Sequence, residues 1–229
     1  MMEKGIAQLD FPKIDCMIQI HDYNGVSMFS STDKTKAAAR ETVKLFGDHY
    51  PELLHKKFFI NVPWYMSGFY AFLKPIIPER TSKKFVICSS DYHKDIRKSI
   101  PIQNIPVKYG GMSKTGEESF TLELPKKLSE VTPQKLEIGS RSFENMEVPV
   151  EKGSEIYWEF LLHEDDIEFA CSFVEENGKF ITIENVKKIG SQLTIGKYKP
   201  EESGKIKFVW DNNFSIFTSK TLYFRYVVV

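Results

Sequence analysis

Histidine, cysteine and acidic side chains are the residues of this 229-residue sequence that are most able to do chemistry. The histidines show no HExxH or other tight metal-ligand spacing; they are His21, His49, His55, His93 and His163. An acidic run follows the last of them, at 163–166, and two interpretations are open. It is a cation site or, more commonly for such a run, a charged hairpin tip. We predict no metal site.

Enzyme motifs are also absent from the sequence, which contains no GxSxG, GxGxxG or P-loop pattern. The three cysteines, Cys16, Cys88 and Cys171, have no CxxC spacing. Each lies in a strand-like apolar stretch, where a thiol behaves as a small buried hydrophobe. Cys88 lacks the helix N-terminus or basic partner that would activate it. We therefore expect a reduced, intracellular protein that is not an enzyme and has no cofactor.

A very apolar predicted helix, Pro63–Ile77, dominates the sequence and lies between two predicted strands, Lys57–Val62 and Lys84–Ser89. A helix that is apolar on nearly all sides is buried in a core or lies against a membrane. At about 14 residues it is too short to cross a bilayer. Positive charges surround it: Lys56, Lys57, Lys74, Arg80, Lys83 and Lys84. The pattern favours a lid that contacts phospholipid, and the alternative is a helix packed permanently on a sheet.

The composition narrows the class of protein further. With 31 basic and 31 acidic residues the formal net charge is zero, so no overall field draws the chain to nucleic acid. An aromatic content of 14% supplies a core and argues against disorder. The N-terminal residues lack the apolar run of a signal peptide, and no segment is long enough to span a membrane. We expect a cytoplasmic protein that is peripheral at membranes.

Two sequence patterns divide the chain into two predicted domains. Residues 1–111 alternate between strand and helix, which implies a mostly parallel sheet with crossover helices, and Asn24-Gly25 marks a turn after the first strand. Residues 112–135 are polar, contain two prolines and are typical of a linker. Residues 136–229 have no helical pattern and alternate between apolar and polar positions, as the half-buried strands of a β-sandwich do.

Three motifs in residues 14–111 resemble those of the Sec14-like (CRAL-TRIO) lipid-binding family. The run YPELLHKKFFINVPWYMSGFYAFLKPIIPERTSKKFVICSSDY is similar in spacing and residue type to the family's "YPE…K…FIIN.P..F…W..KP" block. IHDYNG resembles the family's turn after a strand, and IPIQNIPVKYGG resembles its closing segment. Separately, FVWDNNFSIFTSKTLYFRYVV, at 208–228, resembles the closing strands of GOLD domains.

The resemblance implies a specific order of domains. Residues 1–111 are expected to form an α/β CRAL-TRIO unit, 112–135 a linker and 136–229 an all-β GOLD sandwich. The helical lobe that opens the family's lipid domain has no counterpart before the first strand. We therefore expect a lipid-binding unit that is incomplete at its N-terminus.

The resemblance also implies roles for individual residues. In members that hold phosphatidylinositol, a Glu, a Thr and a Lys contact the head group, and these match Glu52, Thr81 and Lys84; a surface ion pair between Glu52 and Lys84 is the alternative. The apolar helix corresponds to the lipid gate, with expected acyl contacts at Trp64, Phe69, Phe72, Leu73, Ile76 and Ile77. Met17 and Gln19 match pocket-floor positions where small hydroxyls favour phosphatidylcholine, so exchange of that lipid is not expected.

These expectations describe a protein that binds phospholipid, with phosphatidylinositol favoured, or another hydrophobic lipid, and transfers it between membranes in vesicle traffic or lipid signalling. A squalene- or tocopherol-like cargo stays open, since members of the family bind such molecules. The expected partners are the bound lipid, a membrane surface contacted transiently and a protein that binds the GOLD domain, but no nucleic acid. The alternative function is a GOLD-mediated protein or membrane adaptor that has lost lipid transfer.

Overall fold

The computed structural model describes residues 16–26, 41, 53–63, 79–114 and 124–229. The chain divides into two compact units, Met1–Ser99 and Ile100–Val229. Glu52 and all of the predicted gate helix except Pro63 lie outside the described residues.

The described part of the first unit contains a three-stranded parallel sheet in the order β1-β2-β3. The strands are β1 (Met17–Asp22), β2 (Leu54–Ile60) and β3 (Phe85–Ile87), and two short helices flank the last of them, α1 (Glu79–Ser82) and α2 (Tyr92–Arg97). The parallel pairing agrees with the expectation from the alternating pattern, while the helices expected to cross between the strands fall largely outside the described residues.

The two faces of this sheet differ in burial because successive side chains of a strand point to opposite sides. On one face, Phe58 and Ile60 of β2 are fully buried, as are Cys88 after β3 and Ile96 of α2. The residues that alternate with them are only half-buried or exposed. Strand β2, with the sequence LHKKFFI, therefore has one face in the core and one face that is only partly covered. The partly covered face belongs to the candidate site.

The predicted turn at Asn24-Gly25 is present directly after β1. Gly25 has a φ of +78°, which only glycine adopts without strain. The Asp22 carboxylate accepts from the Asn24 backbone N–H at 2.9 Å and from the Asn61 side-chain amide at 2.8 Å. The turn is thereby tied to the end of β2, which holds the carboxyl ends of the two strands together.

The second unit is a two-layer antiparallel β-sandwich. One sheet has the order β5-β10-β7-β8 and the other the order β4-β11-β6-β9, which is the strand order of a jelly roll. The strands are β4 (Gln134–Ile138), β5 (Phe143–Val150), β6 (Ile156–Leu162), β7 (Asp166–Glu175), β8 (Phe180–Gly190), β9 (Leu193–Tyr198), β10 (Gly204–Asp211) and β11 (Lys220–Val228). Residues 136–229, all described, contain no helix, as the sequence pattern predicts.

The sandwich core consists of the alternating apolar residues that the sequence singles out. Ile167, Phe169, Cys171 and Phe173 of β7 are buried, and so are Ile206, Phe208 and Trp210 of β10 and Leu222 and Phe224 of β11. Aromatic rings join the two layers: Trp158 of β6 meets Phe208 edge-on at 5.2 Å between centroids, and Trp210 meets Phe224 at 4.9 Å. Such edge-to-face pairs add to the energy of burial.

Two segments before β4 pack on the outside of the sandwich. The IPIQNIPVKYGG segment forms two 3-10 turns, Ile102–Asn104 and Val107–Tyr109, and its Ile102 and Met112 bury Leu161 of β6. Helix α3 (Lys126–Glu130) lies within the stretch predicted as a linker, and its Leu128 is buried. The compact second unit therefore begins at Ile100 and includes the described part of that stretch.

A buried charge cluster joins these segments to the sheet. Arg225 of β11 donates from Nε to the Glu159 carboxylate of β6 at 2.7 Å, and both side chains are buried. The Arg225 guanidinium also donates to the Ser129 and Val131 carbonyls at 3.1 and 2.9 Å. Lys114 donates to the second Glu159 oxygen. The two cationic partners compensate the charge of the buried Glu159 carboxylate. Removing one of them would therefore destabilise the fold, because it leaves a buried charge without its partner.

The acidic run at 163–166 spans the connection from β6 to β7, which belong to different sheets, so it is a charged loop between the two layers and not the predicted hairpin tip. Asp165 accepts from the buried Lys220 Nζ at 3.0 Å, and Asp166 pairs with Lys188 at 3.3 Å. The run thus neutralises lysines of neighbouring strands.

The cysteines divide between buried and exposed positions. Cys88 and Cys171 are buried, as expected of small hydrophobes, whereas Cys16 is exposed. The expectation for Cys16 was wrong because it precedes β1 and lies outside the paired part of the sheet.

Candidate functional site

The candidate site is the half-exposed side of the parallel sheet, which we call the open face. Residues paired in register across parallel strands point to the same side, and Gln19, Lys57 and Phe85 form one such row. The next row is formed by His21, Phe59 and Ile87. The open face consists of Met17, Gln19, His21, Lys57, Phe59, Phe85 and Ile87.

Aromatic rings occupy the centre of the open face. Phe59 meets Phe85 edge-on at 5.5 Å between ring centroids and lies 5.7 Å from the His21 ring. Tyr23, just beyond the end of β1, stacks on Phe59 at 6.2 Å. These rings and Ile87 form an apolar surface that is not closed by the described residues, and such a surface suits an apolar ligand.

Lys57 places a positive charge within this aromatic surface. Its ammonium nitrogen is 5.8 Å from the Phe59 centroid and 5.7 Å from the Phe85 centroid, within the range of cation–π attraction. Burial lowers the pKa of Lys57, because taking the ammonium out of water disfavours its charged form.

The neighbouring titratable groups respond to the same surroundings. Burial lowers the pKa of His21, and the charge of Lys57 lowers it further. Burial raises the pKa of the Tyr23 phenol. The pKa values of the lysine and of the histidine on the open face are thus shifted in the same direction, each toward the neutral form.

Two of the predicted site residues lie on the open face. Met17 and Gln19, matched to the pocket floor, are neighbours there, and the Gln19 amide donates to the Met17 sulfur at 3.3 Å. Neither offers a hydroxyl.

The predicted head-group residues are only partly described. Thr81 lies in α1. Lys84 precedes β3, is half-buried, and its carbonyl accepts from the Lys57 backbone N–H at 2.8 Å. Glu52 and the six gate residues, Trp64, Phe69, Phe72, Leu73, Ile76 and Ile77, lie outside the described residues and stay predictions.

Sequence reasoning missed most of the open face. The sequence pattern presents Lys57 as one of several charges around the apolar helix and indicates no binding role for His21, Phe59 or Phe85. A usable signal was present, because Lys57 and Phe59 alternate with the buried Phe58 and Ile60. That alternation does not predict which strands lie side by side.

Comparison with known proteins supports a Sec14-like assignment for the first half of the chain. Residues 1–111 match the CRAL/TRIO domain model. This match and the relatives below agree with the sequence-based prediction that the protein is not an enzyme.

Two relatives are similar to this chain over different shares of its length. Phosphatidylinositol transfer protein SFH5 of Scheffersomyces stipitis is 43% identical over 126 residues, which cover 53% of this chain and 38% of the relative. Patellin-6 of Arabidopsis thaliana is 29% identical over 235 aligned residues, which cover 100% of this chain and 55% of the relative. The chain thus spans less than two thirds of the length of each of these relatives.

Among solved structures, a crystal structure of Sfh5 is similar over 41% of this chain and 33% of its own, with 39% sequence identity and a TM-score of 0.36. In the part of the chain that the structure describes, no helix has the length and apolar character needed to cross a bilayer.

Proposed function

We propose that this protein binds a lipid on the open face and transfers it between membranes, with phosphatidylinositol favoured and another hydrophobic lipid as the broader class. The observation that carries the proposal is the aromatic open face of a parallel sheet within residues that match the CRAL/TRIO domain. The transfer-protein name of the SFH5 relatives supports the choice of phosphatidylinositol. The process is extraction and exchange and has no covalent step.

The head group is proposed to lie near Glu52, Thr81 and Lys84. A lysine ammonium neutralises a phosphodiester, a threonine hydroxyl donates to its oxygens, and a carboxylate accepts from inositol hydroxyls. The six gate residues would cover the acyl chains, because burying each large apolar side chain is worth about 1.5–3 kcal/mol and its exposure needs an apolar partner. Met17 and Gln19, which lack hydroxyls, disfavour phosphatidylcholine.

Native mass spectrometry of the purified chain tests for co-purified phospholipid, and a vesicle-to-vesicle assay then measures transfer. We expect transfer of phosphatidylinositol to exceed that of phosphatidylcholine, and Lys84→Ala to slow the former at least about fivefold. The matched control is Lys83→Ala, which removes an exposed lysine paired with Glu79. Absence of both retained lipid and transfer would contradict the proposal, and equal rates for both variants would contradict the head-group assignment.

The β-sandwich is proposed to be a GOLD module that links lipid binding to vesicle traffic or lipid signalling. Its eight strands and the FVWDNNFSIFTSKTLYFRYVV motif, which spans β10 and β11, support this. In this proposal the module contacts a protein partner or a membrane surface and the protein is peripheral and cytoplasmic.

One observation favours the second candidate, an adaptor that has lost transfer. At one end of the sandwich, four apolar side chains form what we call the apolar tip: Phe143, Phe214, Ile216 and Phe217, which are 54%, 38%, 54% and 93% exposed. The loop that carries the last three is ordered, because the buried Asn212 amide donates to the Gly139 and Thr218 carbonyls at 2.9 Å each. An ordered loop that exposes apolar side chains is typical of an interaction site.

Co-sedimentation with vesicles separates the two candidates. An adaptor would bind vesicles without transferring lipid, and Phe217→Ser would abolish that binding. Phe180→Ser, at an exposed phenylalanine at the start of β8, is the matched control. Transfer that persists in Phe217→Ser would favour the lipid-transfer function.

A further inference from the structure

Lys57 is a half-buried cation for which the described protein supplies no anion. It forms no ion pair or side-chain hydrogen bond with any residue in the described ranges, and its ammonium group lies over the rings of Phe59 and Phe85. The other lysines close to its strand differ, since Lys56 donates to Ser99 at 2.9 Å and Lys83 pairs with Glu79 at 2.8 Å. The position of Lys57 is therefore unusual within its own sheet.

The described residues of the open face around Lys57 supply hydrogen-bond donors but no negatively charged group. None of the described residues of the open face is a carboxylate. Gln19, its register partner on β1, has an amide of which one donor is used by Met17, and His21 is the other ionisable group. On β3 the facing residues are Phe85 and Ile87, which are uncharged. The open face thus presents a positive charge and hydrogen-bond donors within an apolar surround.

Burying an unpaired ammonium is unfavourable unless a partner compensates it. The cation–π contacts with Phe59 and Phe85 add attraction but no opposite charge. An anionic group of the ligand would supply the opposite charge for the Lys57 ammonium group. In these apolar surroundings the charge-assisted hydrogen bond between the two groups would be strong.

We propose that Lys57 binds the carboxylate or phosphate group of an amphiphilic ligand whose apolar part lies against Phe59 and Phe85. This inference rests on the proposed lipid-binding function of the open face and names a ligand class for it: single-chain acids or phosphate monoesters. It assigns the anionic group to Lys57 on the open face of the sheet and not to Glu52, Thr81 or Lys84.

The test uses the full chain and three probes: fluorescent cis-parinaric acid, its methyl ester and vesicles that contain phosphatidylinositol. The acid and the ester have the same apolar chain and differ only in charge. We expect the acid to bind at least about tenfold more tightly than the ester, as a charge-assisted hydrogen bond predicts. Competition by dodecanoate and by dodecyl phosphate then distinguishes a carboxylate source from a phosphate source, and competition by neither overturns the proposal.

Lys57→Met keeps an apolar stem and removes the charge. We expect it to reduce the acid-over-ester ratio to about one without weakening the ester, while Lys57→Arg keeps the preference. Lys83→Met is the matched control and leaves the ratio unchanged. A wild-type protein without preference, or a Lys57→Met variant that keeps it, would overturn the inference.

The outcomes for the two proposals differ. If the acid, the ester and phosphatidylinositol all fail to bind, the proposed function itself fails. If the ester and phosphatidylinositol bind but charge makes no difference, the function stands and only the role of Lys57 fails. Thermal melting of each variant confirms that a lost preference does not come from unfolding.

Discussion

At the scale of single residues, burial decides the chemistry of the ionisable groups. Lys57 loses stabilisation of its charge because two aromatic rings replace water around it. The pKa values of Cys88 and Cys171 shift in the opposite direction, because the charged form of a cysteine is the deprotonated thiolate. Burial raises the pKa of Cys88 to about 11 and that of Cys171 to about 12. The same physical cause therefore disfavours a cation in one unit and anions in both.

This difference predicts the pattern of thiol labelling. At pH 8 the thiolate fraction of a cysteine with a pKa of about 11 is roughly one in a thousand, so Cys88 and Cys171 should react with iodoacetamide only after unfolding. We expect labelling of the native protein, followed by peptide mass spectrometry, to be confined to the exposed Cys16. Cys16→Ser should then abolish it. Native-state labelling of Cys171 at a comparable rate would contradict the burial described for β7.

At the scale of elements, strand pairing determines which positions tolerate a side chain. Gly196 of β9 is the register partner of Trp158 on β6. A Cβ atom added at Gly196 would lie 2.3 Å from the Trp158 ring, whereas one at Gly139 would have its nearest neighbour at 3.8 Å. The glycine at 196 is therefore needed for space and not for backbone conformation.

We expect Gly196→Ala to destabilise the sandwich by about 1–3 kcal/mol, because the buried indole cannot move aside without disturbing its contact with Phe208. Urea unfolding followed by tryptophan fluorescence measures the change. Gly139→Ala is the matched control and should shift the midpoint little. Equal midpoints for the two variants would show that the β6–β9 register differs from the one described.

Much of this element-scale structure was predictable from the sequence. The alternation of Ile206, Phe208 and Trp210 correctly predicted a buried strand face, because the period of two is a local property of the chain. Gly153 and Gly178, of the residue type that is typical of turns, lie between strands with φ of +91° and +89°. The helix α3 was not predicted, since its residues are polar and its stability depends on contacts made elsewhere in the chain.

At the scale of the whole molecule, the second unit begins earlier in the chain than the predicted all-β domain. The sequence pattern predicts an all-β domain from residue 136, whereas the compact unit begins at Ile100. Residues 100–135 supply Ile102 and Met112, which bury Leu161, and the carbonyls of Ser129 and Val131, to which Arg225 donates. A fragment without them would expose an apolar patch and leave buried guanidinium donors unsatisfied.

We therefore expect a fragment of residues 100–229 to fold as a cooperative unit and a fragment of residues 136–229 to melt at a lower temperature. Loss of hydrogen-bond partners by a buried charged group costs several kcal/mol, which corresponds to a shift of roughly 10 °C or more in a domain of this size. Circular dichroism melting of both fragments measures it. Equal melting temperatures would support the boundary at residue 136.

The sequence by itself determined the parallel strands of the first part, the all-β character and core faces of the second, and the likeness to a lipid-binding family. These rest on periodicity and short motifs, which are local. Only the tertiary structure brought Gln19, Lys57 and Phe85 into one row and placed Glu159 against Arg225. Such neighbours are tens of residues apart in the chain, and strand order and register, which no local pattern encodes, decide which side chains meet.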